Sequence, residues 1–101
     1  MRGQDRAALR AEAHHLKPTV HIGTQGITDA VRQSVDEALS ARELVKLRFE
    51  RSSEVEPRDG ATALAGALSA EVVQVIGRTA TLYRENPELP HSPDKPPAWK
   101  R

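Results

Sequence analysis

Four histidines and no cysteine limit the chemistry open to this chain of 101 residues. His14 and His15 are adjacent, so on a helix their side chains point about 100° apart and cannot comfortably share a metal ion. The lack of cysteine excludes disulfides, thiolate zinc sites and thiol nucleophiles, and no serine stands in a nucleophile-elbow pattern. We therefore expect no catalytic residue, no metal and no cofactor, with one of the paired histidines packed or capping and the other exposed.

The stretch from Gly23 to Gly26, Gly-Thr-Gln-Gly, is the motif most open to a function. It lacks the lysine and the length of a P-loop, and the third glycine of a dinucleotide-binding fingerprint. Two glycines at this spacing let another backbone approach closely, and the helix that follows would offer free N–H groups to a phosphate. A plain strand-to-helix turn also uses glycines, so the motif alone leaves both interpretations open.

Basic residues are spread along the chain, although a net charge of +1 does not indicate a nucleic-acid-binding protein. Arg6, Arg10 and His14 recur every four residues and would form one stripe on a helix. The other basic positions of interest are Lys17, Lys46, Arg48, Arg78 and Arg84. Several acids concentrate in one connection, residues 50–59, so basic and acidic surfaces would be separated. A charge stripe often serves only solubility, and this pattern is weak evidence for nucleic acid.

The elements that must position these residues alternate between helix and strand. The spacing predicts a helix over residues 5–16 that begins at Asp5 and is ended by Pro18, followed by a short strand at residues 19–22. Thr28 would cap a second helix, and residues 43–50 alternate as a strand with one dry face. Pro57 suits the first position of a third helix, which Gly60 and Gly66 would weaken. Two further strands would meet at a turn of residues 77–78.

This order, α-β-α-β-α-β-β, predicts an α/β (α+β) fold with two layers and a mixed sheet. Parallel pairing would come through right-handed crossovers and antiparallel pairing through the last hairpin, leaving one sheet face at least partly open. Residues 1–85 would form the domain and 86–101 a proline-rich disordered tail, in which Trp99 is a docking residue or a solvated aromatic. No apolar run is long enough to span a membrane, and no secretory signal is found, so a cytoplasmic protein is expected. We also expect a monomer.

Several motifs in order resemble one family, the CRM domain (chloroplast RNA splicing and ribosome maturation) in its free-standing bacterial, YhbY-like form. They span roughly residues 6–85: the His-x-Leu-Lys-Pro-type run at 14–18, the G-x-x-G at 23–26 with its "GIT" helix entry, "ELVK" at 43–46 and "VIGRT…LYR" at 75–84. The resemblance implies a four-stranded mixed sheet packed by helices, like the C-terminal domain of translation initiation factor three.

The resemblance also implies a non-enzymatic protein that binds ribosomal RNA in large-subunit precursors and has no small-molecule substrate. The expected RNA-binding residues are Lys17, Gly23, Thr24, Gln25, Gly26, Lys46, Arg48 and Arg84. Thr24 and Gln25 are uncharged where relatives often have Lys or Asn, so the loop would act through its backbone. Tyr83 would either stack on a base or pack in the sheet. The main rival is a protein-interaction adaptor that uses the open sheet face or the tail; a small hydrolase is a distant third.

Overall fold

The computed structural model describes residues 3–86, with side chains from residue 6 onward. Three helices and four strands follow one another in the expected order. They are α1 (Gly3–Ala13), β1 (Val20–Ile22), α2 (Asp29–Arg42), β2 (Leu44–Phe49), α3 (Pro57–Leu68), β3 (Glu71–Ile76) and β4 (Thr79–Tyr83). The mixed α+β fold class is therefore confirmed. Within this part of the chain no helix is long and apolar enough to cross a membrane.

The four strands form one sheet in the order β1-β2-β4-β3. β1 pairs with β2 in parallel, through the crossover that α2 provides, whereas β4 is antiparallel to both β2 and β3. Gly77 supplies the positive φ, +58°, at the first position of the hairpin turn between β3 and β4. Because β4 folds back between β2 and β3, the sheet has two unlike edges, β1 on one side and β3 on the other.

One face of the sheet carries the main core. Val45, Leu47 and Phe49 are buried on this face, as their alternation predicts, and pack with buried residues of α2 and α3. Gly60 lies directly over Phe49, and a Cβ atom there would come within 2.5 Å of Phe49 Cε1. This glycine, expected to weaken α3, is therefore what lets the helix approach the sheet.

The other face is covered at one end only. Leu9 and Ala13 of α1 are fully buried in a second cluster with Leu44, Val73 and Tyr83. Helices therefore lie on both faces of the sheet, so the expected two-layer arrangement is wrong where α1 packs. The rest of that face is open, as expected. Tyr83 is only 6% exposed, so of its two interpretations packing is correct.

Local signals located the ends of α2 and α3 better than those of α1. Thr28 caps α2 by accepting a hydrogen bond from the Val31 amide at 3.1 Å, and Pro57 is the first residue of α3. In contrast, α1 begins at Gly3 and ends at Ala13, so the predicted bounds of 5–16 are wrong. The chain turns at His14 and His15, and the Leu16 amide bonds back to the Ala13 carbonyl at 3.0 Å.

The predicted proline-rich tail, including Trp99, lies outside the described residues apart from Asn86. The Asn86 amide donates to Glu43 Oε2 at 2.7 Å, and its side-chain nitrogen donates to the Ser40 carbonyl at 2.8 Å. The folded domain therefore extends at least to Asn86, because this residue is docked on the end of α2.

Candidate nucleic-acid interface

The glycine loop, residues 23–26, connects the end of β1 to the cap of α2. It is a β-turn in which the Gly26 amide donates to the Gly23 carbonyl at 2.9 Å. Gly26 has a φ of +69°, and a Cβ atom there would lie 3.2 Å from Val55 Cγ2, so the fold itself requires this glycine. A Cβ atom on Gly23 would have no atom within 4 Å. The backbone at Gly23 is therefore open to an approaching molecule, and the two glycines have different roles.

The exposed tip of this loop presents unused hydrogen-bond donors. Within residues 3–86 the amides of Thr24 and Gln25 donate no hydrogen bond, and both residues are exposed. The helix opening next to it is less suited to an anion, because Thr28 already caps the Val31 amide and the Asp29 carboxylate pairs with Arg32. The amides of Asp29 and Ala30 at this opening also donate no hydrogen bond within the described residues, but the Asp29 carboxylate beside them repels an anion. The amides of the exposed turn are therefore the better placed donors for a phosphate.

Beside the loop, three side chains form an ionic cluster at the carboxyl ends of β1 and β2. His21 Nδ1 donates to Glu50 Oε1 at 2.8 Å, and Arg48 Nε lies 3.8 Å from Glu50 Oε2. His21 and Arg48 are cross-strand partners in the parallel pair. The hydrogen bond from His21, together with the charge of Arg48, holds the pKa of Glu50 below its ordinary value. This acid therefore stays ionised and offsets part of the positive charge at the loop.

Arg78 reaches the same place from the hairpin turn. Its carbonyl accepts from the Phe49 amide at 2.8 Å, and its Nη1 donates to the Glu50 carbonyl at 3.2 Å. The RNA-binding residues expected from the sequence do not include Arg78, His21 or Glu50. Only the strand register brings these three to the loop, and the sequence contains no local signal for that register.

Lys46 and Lys17 extend the basic surface away from the loop. Lys46 lies two residues before Arg48 on the same face of β2, about 7 Å away along the strand, and its Nζ donates to the Leu16 carbonyl at 3.2 Å. Lys17 follows Leu16 and is exposed. The backbone of Thr19 pairs with that of Lys46 at 3.0 Å, so Lys17 lies near the far end of β1 from the loop. The structure therefore places Lys46 and Arg48 together and Lys17 beyond them.

Arg84 is set apart from the other predicted contacts. Its guanidinium donates to Asp36 Oδ1 at 2.7 Å, the Leu68 carbonyl at 3.0 Å and Ser40 Oγ at 2.9 Å. It lies at the opposite end of the sheet from the loop, because the Arg84 amide bonds to the Glu43 carbonyl just before β2. Arg84 therefore ties α2 and α3 to the end of β4, and we leave it out of the interface.

The paired histidines also differ from expectation. The rings of His14 and His15 meet edge to face with centroids 5.9 Å apart, and both residues are exposed. Neither ring forms a hydrogen bond within the described residues, so the expectation that one of them is packed or capping is wrong. Among the side chains that the structure describes, no group of three or more His, Asp or Glu residues is placed to hold a metal ion.

Comparisons with known proteins agree on one family. The model of the CRS1/YhbY (CRM) domain matches residues 1–84. The chain is 38% identical over 86 residues to the Bacillus subtilis protein named "Probable RNA-binding protein YqeI". The match covers 85% of this chain and 90% of that protein. It is 38% identical over 84 residues to "Probable RNA-binding protein MJ0652" of Methanocaldococcus jannaschii, with 81% of this chain and 62% of that protein covered.

A solved structure shows the same architecture. The solution structure of the hypothetical protein SAV1595 of Staphylococcus aureus, which was proposed to bind RNA, matches with a TM-score of 0.75 at 33% identity. The match covers 87% of this chain and 92% of that chain. This chain is therefore similar to SAV1595 in both sequence and fold.

Proposed function

The chain belongs to the CRS1/YhbY (CRM) domain family, and from this premise we propose that it is a non-enzymatic RNA-binding protein. Its glycine loop contacts the sugar-phosphate backbone, and the basic residues of the neighbouring sheet face supply charge. The residues assigned to this surface are Lys17, Gly23, Thr24, Gln25, Gly26, Lys46 and Arg48.

One observation carries the role of the loop. The free amides of Thr24 and Gln25 lie next to the open backbone of Gly23. A phosphate oxygen is an acceptor that carries charge, and its hydrogen bonds to backbone amides are stronger than those between neutral groups. A side chain at position 23 would hold the RNA away from these donors. The loop therefore contributes main-chain donors and close approach, and it needs no charge of its own.

The charge comes from the open sheet face. Lys46 and Arg48 project from this face, which α1 leaves uncovered toward the loop. Contacts of lysine and arginine with phosphates position RNA without reading its sequence, so the shape of the RNA decides where the protein binds. Each such contact releases counterions, and the affinity therefore falls as the salt concentration rises.

The RNA that we propose is ribosomal RNA in precursors of the large subunit, where the protein assists assembly as a cytoplasmic monomer. The support for this step is the resemblance of the motifs to free-standing bacterial members of the family. The loop and the sheet face recognise the RNA backbone and its shape, and a folding ribosomal precursor presents many such segments.

Crosslinking in cells, followed by sequencing of the attached RNA and sedimentation of lysates, tests this function. We expect ribosomal RNA fragments, and co-sedimentation with large-subunit precursors rather than with translating ribosomes. Lys46→Glu should lower the affinity for purified RNA more than Lys95→Glu, which makes the same charge change in the C-terminal segment. Recovery of the protein only in the soluble fractions at low salt would contradict the assembly role, and equal effects of the two variants would contradict a localised surface.

The adaptor alternative has little support from the described residues. The open sheet face carries His21, Lys46, Arg48, Gln74 and Thr79 beside one exposed apolar side chain, Ile76. One exposed apolar side chain among polar and charged ones does not form an apolar docking site. A deletion that separates the two functions should begin at Pro87, since Asn86 is docked on α2. The truncated protein should keep most of its RNA affinity, whereas an adaptor that works through the tail would lose its partner.

A further inference from the structure

A second basic surface lies at the free edge of β3, across the sheet from the glycine loop. This groove has a volume of about 610 Å³ and runs between α1 and α3 along the outer strand. Arginines reach it from both helices: Arg6 and Arg10 from α1, and Arg58 from α3. Among the described side chains, no carboxylate lines it. We name these three residues and the β3 edge the arginine groove.

Two of the three arginines of this groove are unpaired within the described residues. The guanidinium groups of Arg10 and Arg58 form no hydrogen bond or ion pair with any side chain or backbone group in the part of the chain that the structure describes. Only Arg6 is engaged, through the Val72 carbonyl and through Glu71 Oε2 at 3.9 Å. Two unpaired guanidinium groups on opposite walls of one groove favour an anionic, extended ligand.

Two features decide between the extended anions that could lie there. A peptide that adds to a sheet needs an unbroken ladder of free N–H and C=O groups. β3 lacks such a ladder, because its register shifts between Val72 and Gln74 and Arg6 already donates to the Val72 carbonyl. Bulges and inward-pointing charges of this kind protect an edge from added strands. A phosphate backbone needs only donors, which the arginines supply.

We propose that the arginine groove is a second contact surface for the RNA backbone, so that the protein holds RNA at both edges of its sheet. This inference rests on the proposed RNA-binding function and extends it. The two edges are three strand spacings apart, about 14 Å, and α1 lies beside the path between them. RNA held at both edges has a fixed orientation on the protein, whereas RNA held at the loop alone can rotate about that contact.

The test compares two variants with the same charge change. Arg10→Glu with Arg58→Glu alters the groove, and Lys95→Glu with Lys100→Glu makes the same change of charge in the C-terminal segment. The probe is a mixed-sequence single-stranded RNA long enough to span both edges, with affinity measured by fluorescence anisotropy over a series of salt concentrations. Loss of two phosphate contacts should reduce the slope of log affinity against log salt by about 1.4. Over a fourfold change in salt, the wild type should then lose about sevenfold more affinity than the groove variant.

A label inside the groove gives a readout that does not depend on charge. Because the chain has no cysteine, Thr62→Cys places a single fluorophore on the α3 wall. Its signal should change when RNA is added and should stop changing when the two arginines are replaced. Circular dichroism and thermal unfolding check the fold, and Arg10→Gln with Arg58→Gln takes over if the charge-reversed protein unfolds.

The outcomes separate this inference from the function on which it rests. If the wild type binds no RNA, the proposed function fails. If the wild type binds RNA and the groove variant has the same affinity and salt slope, or the groove and C-terminal variants lose affinity equally, the groove is not a contact surface and the loop assignment stands. Binding of a polyglutamate peptide that protects β3 amides from exchange, while RNA leaves the Thr62 label unchanged, would identify a peptide site and overturn the proposal.

Discussion

The two edges of the sheet carry positive charge in opposite states of pairing. At the β1 edge, Arg48 and His21 share the carboxylate of Glu50 beside the glycine loop. At the β3 edge, Arg6 is paired with Glu71, but Arg10 and Arg58 face a groove that no described carboxylate lines. A paired cation is held in place, and part of its charge is offset, whereas a free one gives its full charge at a cost in side-chain entropy. In the proposed function, the loop edge would therefore position the RNA, and the β3 edge would attract it.

The largest expected effect is on stability and concerns Arg84, which has more bonded partners than the cations at either edge. Arg84→Ala removes bonds to Asp36, Ser40 and the Leu68 carbonyl and should lower the free energy of unfolding by about 2–3 kcal/mol. The RNA affinity of the folded protein should not change. Chemical denaturation measures the stability and anisotropy measures the affinity.

Arg10→Ala is the matched control for this measurement, since it removes an arginine with no partner in the described residues. Its effect on stability should stay within about 0.5 kcal/mol. A loss of RNA affinity in folded Arg84→Ala would return Arg84 to the interface and remove the distinction between paired and free arginines.

The next effect tests whether the loop works through its backbone. Gly23→Leu should lower the RNA affinity about tenfold, because obstructing one charge-assisted hydrogen bond costs about 1.5 kcal/mol. Stability should hardly change, since the position is open. Gly66→Leu, at an open position on α3, is the control and should leave the affinity unchanged. Gly26 is unsuitable as a probe, because its φ of +69° would strain any other residue; unchanged affinity in Gly23→Leu would exclude backbone approach there.

The smallest effect addresses the pairing at the loop edge. Glu50→Gln removes the acid between His21 and Arg48, and the RNA affinity should rise by at most about fivefold, since an exposed ion pair contributes little. Glu54→Gln, an exposed acid without a partner among the described side chains, controls for the charge change. An equal rise in both variants would mean that net charge alone matters.

The pKa of Glu50 sets the pH range over which its ion pairs contribute to the stability of the fold. Its folded value lies below the ordinary 4.5, chiefly through the hydrogen bond from His21. The contribution of this group to stability is therefore complete above about pH 4.5 and is lost as the pH falls through the lowered value. Glu50→Gln should accordingly differ from the wild type at neutral pH and approach it in acid, as pH titrations of unfolding would show.

Local chemistry explains which expectations succeeded. The cap at Thr28, the proline at the start of α3 and the glycine in the hairpin turn each act within four residues, so their consequences can be predicted from neighbouring letters. The end of α1 was predicted too late, because a continuing apolar pattern at Leu16 says nothing about whether the chain has turned. Leu16 is 36% exposed, so burial did not hold it in the helix.

Charged side chains were harder to assign, because their partners are distant in the sequence. Arg84 looked like a free cation at the end of a strand, yet its carboxylate partner is 48 positions away. His21 had no predicted role, and it is bonded to a residue 29 positions away. In both cases the register of the strands and the packing of α2 decide whether a charge is available to a ligand.

The amino-acid sequence by itself determined the order of helices and strands, the family and the glycine loop, since periodicity, caps and ordered motifs are local properties. Only the tertiary structure decided which of the two glycines leaves the backbone open and which cations are free. It also decided that Tyr83 is buried beneath α1 and that three arginines meet at the edge of β3. The physical reason is that exposure and ion pairing depend on distances between elements, which strand register and core packing set together.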